Sequence, residues 1–328
     1  MAEMLPDRLR PRPTDDAVFG DDNRASSVEP TYGGVLSFFR RRYARDLTGV
    51  DVALWGVPFD CAVSNRSGTR FGPQGVRRAS VINEGDPHYP FHLDLFEVLN
   101  VVDCGDCSLD YARVADVPDC IVKQASDILA SGATLISVGG DHSITWPLLR
   151  AHHARHGKLA LVHFDAHQDT WGGDDPDRID HGSFVTQAVG AGLIDTSRSI
   201  QIGIRTHAPE DCGFEILHGE DVHEIGIHGV VDRIRRRVGD APCYLTFDID
   251  VLDPAFAPGT GTPVSGGLLS REAMMILRRL GFLDIRGFDM VEVSPPYDHA
   301  EITSIAGATV VQAFLGLIAE RKKGAPTP

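Results

Sequence analysis

Residues 133–169 read ATLISVGGDHSITWPLLRAHHARHGKLALVHFDAHQD, and this stretch decides the fold. The runs ATLISVGGDH (133–142) and LALVHFDAH (159–167) are apolar, carry β-branched residues and break at Gly or Asp, as buried strands do. Between them SITWPLLRAHHARHG (143–157) has helical spacing. Strand, helix and strand in succession make a βαβ unit, which joins parallel strands. The alternation continues outward on both sides. VDVALWGVPFD (50–60), LNVVDCGD (99–106), SIQIGIR (199–205), PCYLTFDID (242–250) and IRGFDMVEV (285–293) read as further buried strands. VPDCIVKQASDILASG (117–132), VVDRIRRRVGD (230–240) and SREAMMILRRL (270–280) read as helices. The expectation is an α/β fold with a mainly parallel sheet covered by helices on both faces.

The 328 residues fit one large α/β domain or two small ones. Residues 1–31, rich in Pro, Arg and Asp, read as an irregular extension with no packed element before Tyr32, and 32–328 carry the strand and helix alternation. A hydrophobic fraction of 42% with 23% charged residues is an ordinary globular composition. The net charge of -15, from 31 Lys+Arg against 46 Asp+Glu, argues against a nucleic-acid or anionic-membrane surface. No apolar run approaches the roughly 20 residues of a membrane helix. Six irregularly spaced cysteines and an N-terminus without an apolar leader suggest reduced thiols in a cytoplasmic protein. Cys104 and Cys107 form a CxxC without a second pair, and are read as plain thiols.

The chemistry gathers where the strands end. Asp141 and His142 close one apolar run, Asp165 to Asp169 the next, and Asp248 and Asp250 a third. In an extended backbone Asp165, His167 and Asp169 share one face, as do Asp248 and Asp250. Taken singly, such an Asp is most often a helix cap and such a His a hydrogen-bonded core residue. Taken together with His142, they would bury about four negative charges, prohibitive without cations. Four carboxylates and two imidazoles suit two divalent ions sharing a carboxylate or two. Mixed nitrogen and oxygen ligation favours Mn²⁺ and admits Ni²⁺, Co²⁺ or Zn²⁺. A deacetylase with a single catalytic zinc is a competing reading that metal stoichiometry separates. GTGTPVSGG (259–267) fits no phosphate-loop pattern and reads as a turn lining the pocket.

SVGGDHSITWP (137–147), LVHFDAHQDTW (161–171), DHGSF (180–184), TFDIDVLDPAFAPGTGTPVSGG (246–267) and DMVEVSPPYD (289–298) resemble the signatures of the ureohydrolases, the arginase and agmatinase family of binuclear manganese enzymes, most of all its bacterial agmatinases. The resemblance spans the chain from about Tyr32. It implies a three-layer α/β/α fold and hydrolysis of a guanidino group to urea and an amine. It also implies His142 and Asp169 as ligands of one metal, His167 and Asp250 of the other, and Asp165 and Asp248 as bridges. Water activated by the two ions would attack the guanidinium carbon, Asp169 would relay a proton to the leaving amine, His181 would orient substrate or shuttle protons, and Glu292 would grip the guanidinium. A homotrimer or homohexamer is implied too; the alternative of a different class is that this chain is an inactive, metal-binding scaffold subunit of a hetero-oligomer. SNRSGTRFGPQGVRR (64–78) reads as a structural loop near the entrance, and VINEGDPHYPFHLDLF (81–96) as an entrance loop that departs from the agmatinase pattern. Agmatine, with its distal amine, would suit Glu84 or Asp86. 4-Guanidinobutanoate would want Asn65, Arg66 or Arg70, and a shortened pocket would suit small alkylguanidines or biguanides.

Overall fold

The computed structural model of the chain describes residues 15–20, 29–83, 88–172, 175 and 177–324. Its apolar runs pair into one sheet. The strands are β1 (Val52–Val57), β2 (Val101–Asp106), β3 (Thr134–Gly139), β4 (Ala160–Phe164), β5 (Ile200–Ile204), β6 (Glu215–His218), β7 (Pro242–Asp248) and β8 (Asp284–Val291). Their order across the sheet is β2-β1-β3-β8-β7-β4-β5-β6, and every ladder between them is parallel. Such a sheet needs cover on both faces, which is why β1, β4 and β5 are buried at every position.

The helices are α1 (Gly72–Ser80), α2 (Val117–Ala130), α3 (Thr145–His156), α4 (Phe184–Gly190), α5 (Gly219–Val238), α6 (Ser270–Leu277) and α7 (Ile302–Lys323). They divide by face. Val52 and Leu54 of β1 share a core with α1, α5, α6 and α7, while Ala53, Trp55 and Val57 share one with α2, α3 and α4. The pleat therefore feeds two cores, giving the three-layer α/β/α arrangement. On α2 the buried positions Val117, Ile121, Ala125 and Leu129 recur every four residues, the stripe expected of a helix lying on a sheet.

Several elements depart from the sequence reading. β6 escaped notice because only one of its four residues is buried. The second half of 64–78 is not loop: GPQGVRRAS is α1, with Pro in its first turn, where a missing N–H costs nothing. α7 overturns the statement about apolar runs, since its 22 residues reach a mean hydropathy of 1.8 over a membrane-length window. It is a core helix, with 72% of that window buried. A packed element also precedes Tyr32. Asp16–Phe19 forms a helical turn with Ala17 buried, and Glu29 pairs with the buried Arg40 at 2.9 Å. Residues 88–96 do not behave as an entrance loop: Phe91, Leu95 and Phe96 belong to the core with α7, and Tyr89 and Pro90 line a cavity beside α6 and α7. Glu84 and Asp86 lie outside the described residues.

Candidate metal centre

β3, β8, β7 and β4 are consecutive in the sheet, and their carboxyl ends deliver the chemistry. Three of the four end alike. The Oδ1 atoms of Asp141, Asp165 and Asp248 accept the N–H two residues on, from Ser143 at 3.1 Å, His167 at 2.5 Å and Asp250 at 2.7 Å. Capping and cluster formation thus coexist in these residues, because one oxygen fastens the turn and leaves the other free. The Oδ2 of Asp141 accepts from Ala62 N at 3.0 Å, while those of Asp165 and Asp248 enter the cluster.

The shared-face premise does not hold. β4 stops at Phe164 and β7 at Asp248, and Asp169 has φ 52, so turns and not pleat alternation aim these side chains. The outcome is two donor groups. His142 Nδ1 lies 3.0 Å from Asp165 Oδ2, 3.1 Å from Asp169 Oδ2 and 3.2 Å from Asp248 Oδ2. His167 Nδ1 lies 3.0 Å from Asp250 Oδ2 and 3.4 Å from Asp165 Oδ1. Asp165 belongs to both, one oxygen toward each histidine. All the residues named from the sequence as metal ligands are therefore brought together.

This donor set fits cations. His142 Nδ1 is buried within 3.2 Å of three carboxylate oxygens, a nitrogen and oxygens gathered round one point as metal donors are. His163, which the sequence reading passed over, stands beside the cluster but has both nitrogens engaged. Gln201 Nε2 donates to its Nδ1 at 3.0 Å, so its Nε2–H donates to Asp165 Oδ2 at 2.7 Å. It orients a carboxylate and offers no lone pair. Its signal was its place two residues before Asp165, on a strand otherwise apolar.

Without cations the cluster holds protons. Burial opposes charging His167, but Asp250 and Asp165 outweigh it and push its pKa up to about 12. His142 is likewise held well above the imidazole range, burial being overcome by Asp165, Asp169 and Asp248. Burial, then Asp250 and Asp165, raise Asp248 well above the carboxylate range. A metal must displace these protons, so affinity should rise with pH, by about tenfold per unit for each proton released. Mn²⁺ dissociation constants at pH 6.5, 7.5 and 8.5 measure this. A flat profile would contradict the ligand set.

Above the cluster opens a cavity of about 290 Å³, lined by Asp169, Trp171, Asp180, His181, Asp248 and Thr262 among others. Thr262 brings the 259–267 turn to the wall. Trp171 and Asp180 had no role in the sequence reading. A Cβ on Gly182 would stand 3.3 Å from the Trp171 ring, 3.4 Å from Asp180 Oδ1 and 4.0 Å from Asp169 Oδ1, so the three side chains converge there. His181 Nδ1 contacts Glu292 Oε1 at 2.9 Å, and its Nε2 lies 2.8 Å from Ser64 Oγ. Burial disfavours the imidazolium, but the bond to Glu292 outweighs it and raises His181 to about 9. Glu292 is fully buried at φ 65, a strained conformation for a side-chain-bearing residue at a functional site. Its Oε1 also accepts His142 N–H at 2.9 Å, while its Oε2 has no partner. The residues considered for a carboxylate substrate are committed elsewhere. Asn65 donates to Gly261 O at 3.0 Å, Arg66 lies over the Tyr297 ring and Arg70 pairs with Asp60. Arg205, also unremarked, donates to the carbonyls of Asp250 and Val264 at 2.6 and 2.8 Å, tying the metal turn to the pocket wall.

Comparison with known proteins gives concordant results. The family model for the arginase family matches residues 50–316. The chain is 49% identical over 316 residues to an agmatinase of Chromobacterium violaceum, covering 94% of this chain and 98% of the relative. Among solved structures it resembles a hypothetical agmatinase from Burkholderia thailandensis, with a TM-score of 0.93, 50% identity and coverage of 95% and 99%. It also resembles the proclavaminate amidino hydrolase of Streptomyces clavuligerus, with a TM-score of 0.85, 39% identity and coverage of 89% and 99%.

Proposed function

This chain belongs to the arginase family, and from that premise we propose that it hydrolyses agmatine to putrescine and urea. The observation that carries the reading is the pair of donor groups sharing Asp165 at the floor of an acidic pocket. His142 and Asp169 would hold one divalent ion and His167 and Asp250 the other, with Asp165 and Asp248 the carboxylates that would be shared between them. Nitrogen and oxygen donors without thiolate favour Mn²⁺, with Ni²⁺ the alternative. When bound, two such ions supply Lewis acidity and make hydroxide available near neutral pH, which a resonance-stabilised guanidinium carbon requires.

The remaining steps fall to the protein. Glu292 accepts a guanidinium N–H at its partnerless Oε2 and so fixes the carbon over the cluster. Asp169 takes a proton from the attacking water and passes it to the leaving amine. His181, with Nε2 toward Ser64 and the pocket, carries the second water proton, released as the urea carbonyl forms, to the departing amine. Trp171 and Asp180 receive the distal ammonium, the ring by cation–π attraction and the carboxylate by charge. We place the enzyme in the cytoplasm as a homotrimer or homohexamer, with 32–328 as its catalytic domain.

Substrate charge provides the test. Apart from the metal ligands Asp169 and Asp248, the described lining residues carry one carboxylate, Asp180, and neither Lys nor Arg. Agmatine should therefore exceed 4-guanidinobutanoate in kcat/KM by at least about 100-fold, because a like charge in the pocket costs several kcal/mol. Urea release across agmatine, arginine, 4-guanidinobutanoate, guanidine and metformin, with Mn²⁺ and Ni²⁺ compared, decides it. A preference for the carboxylate substrate would sink the assignment.

A further inference from the structure

Asp289 is a fully buried carboxylate on β8, paired with no Lys or Arg among the described residues. Its partners are three hydroxyl groups. Thr145 Oγ1 and Tyr244 OH donate to its Oδ2 at 2.9 and 2.8 Å, and Thr246 Oγ1 donates to its Oδ1 at 2.5 Å. A buried charge satisfied only by neutral donors is costly to maintain, and nothing in the proposed reaction touches it. Its purpose is found one bond further on. Thr246 Oγ1 lies 2.8 Å from His142 Nε2.

A carboxylate has no proton to give, so the Thr246 hydroxyl must spend its own on Asp289. The hydroxyl then meets His142 only as an acceptor, and Nε2 must carry the hydrogen. In the neutral ring that binds metal, Nδ1, amid Asp165, Asp169 and Asp248, is then the nitrogen with the lone pair. The ring is clamped as well, stacked on Phe184 with centroids 4.4 Å apart. The sheet builds this chain directly, because Thr246 and Asp289 are register partners on β7 and β8.

We propose that Asp289, acting through the Thr246 hydroxyl, is the positioning residue that fixes His142 in its metal-binding tautomer. The proposal rests on the reading of His142 as a metal ligand. His167, whose Nδ1 faces Asp250 and Asp165, stands outside the chain. The two metal positions should therefore respond differently. Metal-ligating histidines commonly lose about 10- to 100-fold in affinity when the partner of their other nitrogen is removed.

The test titrates metal-free full-length protein with Mn²⁺ alone, reading free ion by electron paramagnetic resonance, for wild type, Asp289→Asn, Thr246→Val and Thr246→Ser. Thr246→Val keeps the shape and removes the hydroxyl, and Thr246→Ser keeps the hydroxyl. Asp289→Asn and Thr246→Val should weaken one of two sites by about 10- to 100-fold and spare the other, while Thr246→Ser retains both. If Asp289→Asn does not fold, the Val and Ser pair decides alone. Equal weakening of both sites, wild-type affinity in Thr246→Val, or a Thr246→Ser as weak as Thr246→Val would each overturn the proposal. Wild-type protein that takes up two ions while the variants match it removes only this inference. Wild-type protein that takes up none removes the metal reading beneath it.

Discussion

Asp248→Asn is expected to lose metal and turnover while leaving the metal-free protein at least as heat-stable as the wild type at neutral pH. The two effects have one cause. Burial, Asp250 and Asp165 raise the pKa of Asp248 well above the ordinary carboxylate value, so its charge opposes folding when no cation is present. A group whose folded pKa is raised contributes stability below its unfolded value, near 4, and loses it as pH climbs through the folded value. At pH 7 that loss is in force. Asparagine removes the charge and retains an oxygen for the Asp250 N–H now held at 2.7 Å.

Asp165→Asn should lose metal equally and differ in the metal-free state. Burial raises this carboxyl too, but His163 first, then His142 and His167, overcome it and hold the pKa well below the usual range. A depressed pKa contributes stability above the unfolded value that disappears as pH falls. Asp165→Asn therefore destabilises metal-free protein at pH 7, and whichever way the amide turns its NH₂ faces a donor, His163 Nε2–H or His167 N–H. Affinity in both variants should fall by more than the roughly 100-fold at the upper end for outer partners. Elemental analysis of purified protein and melting curves after chelation read both quantities. Near-normal metal content and rate in either variant would refute bridging, and equal shifts in metal-free melting would refute the electrostatic account.

The contrast between these two aspartates marks where sequence reasoning reached and where it stopped. Strand ends announced themselves because β3, β4 and β7 are short apolar runs broken by Asp, and parallel topology must gather such ends at one edge. Which oxygen faces which histidine depends on turns, and the left-handed backbone at Asp169 and Glu292 carries no residue-type signature when the residue is not Gly. α7 and β6 mislead in opposite ways. One is apolar enough for a membrane because the sheet and the helices α1 and α6 bury it, and the other is polar because it is an edge strand with little cover. His163, Thr246 and Asp289 were hidden for a further reason. Each lies within a strand, where a polar side chain makes sense only once its cross-sheet neighbour is known.

Glu292→Gln should lower kcat/KM on agmatine by about 30-fold to several thousand-fold while metal content stays at two per chain. Glu292 sits outside the donor groups, so its charge is not part of the metal balance. Oε1 is occupied by His142 N–H and His181, and Oε2 is buried without a partner, 3.5 Å from where a Cβ on Gly261 would stand. A carboxylate kept half satisfied costs several kcal/mol unless a cation arrives, and a guanidinium brings the charge and N–H donors it lacks. Glutamine can still accept at one oxygen, but it sets an NH₂ where the guanidinium donates. The corresponding loss is about 2 to 5 kcal/mol of transition-state binding. A second readout separates this from general damage. His181 stands at about 9 because the bond to Glu292 overcomes burial, so in Glu292→Gln burial prevails and its titration, followed by NMR, should move down. Full activity on every guanidino compound, or an unmoved His181, would make Glu292 a structural residue and leave the guanidinium to be held by some other group.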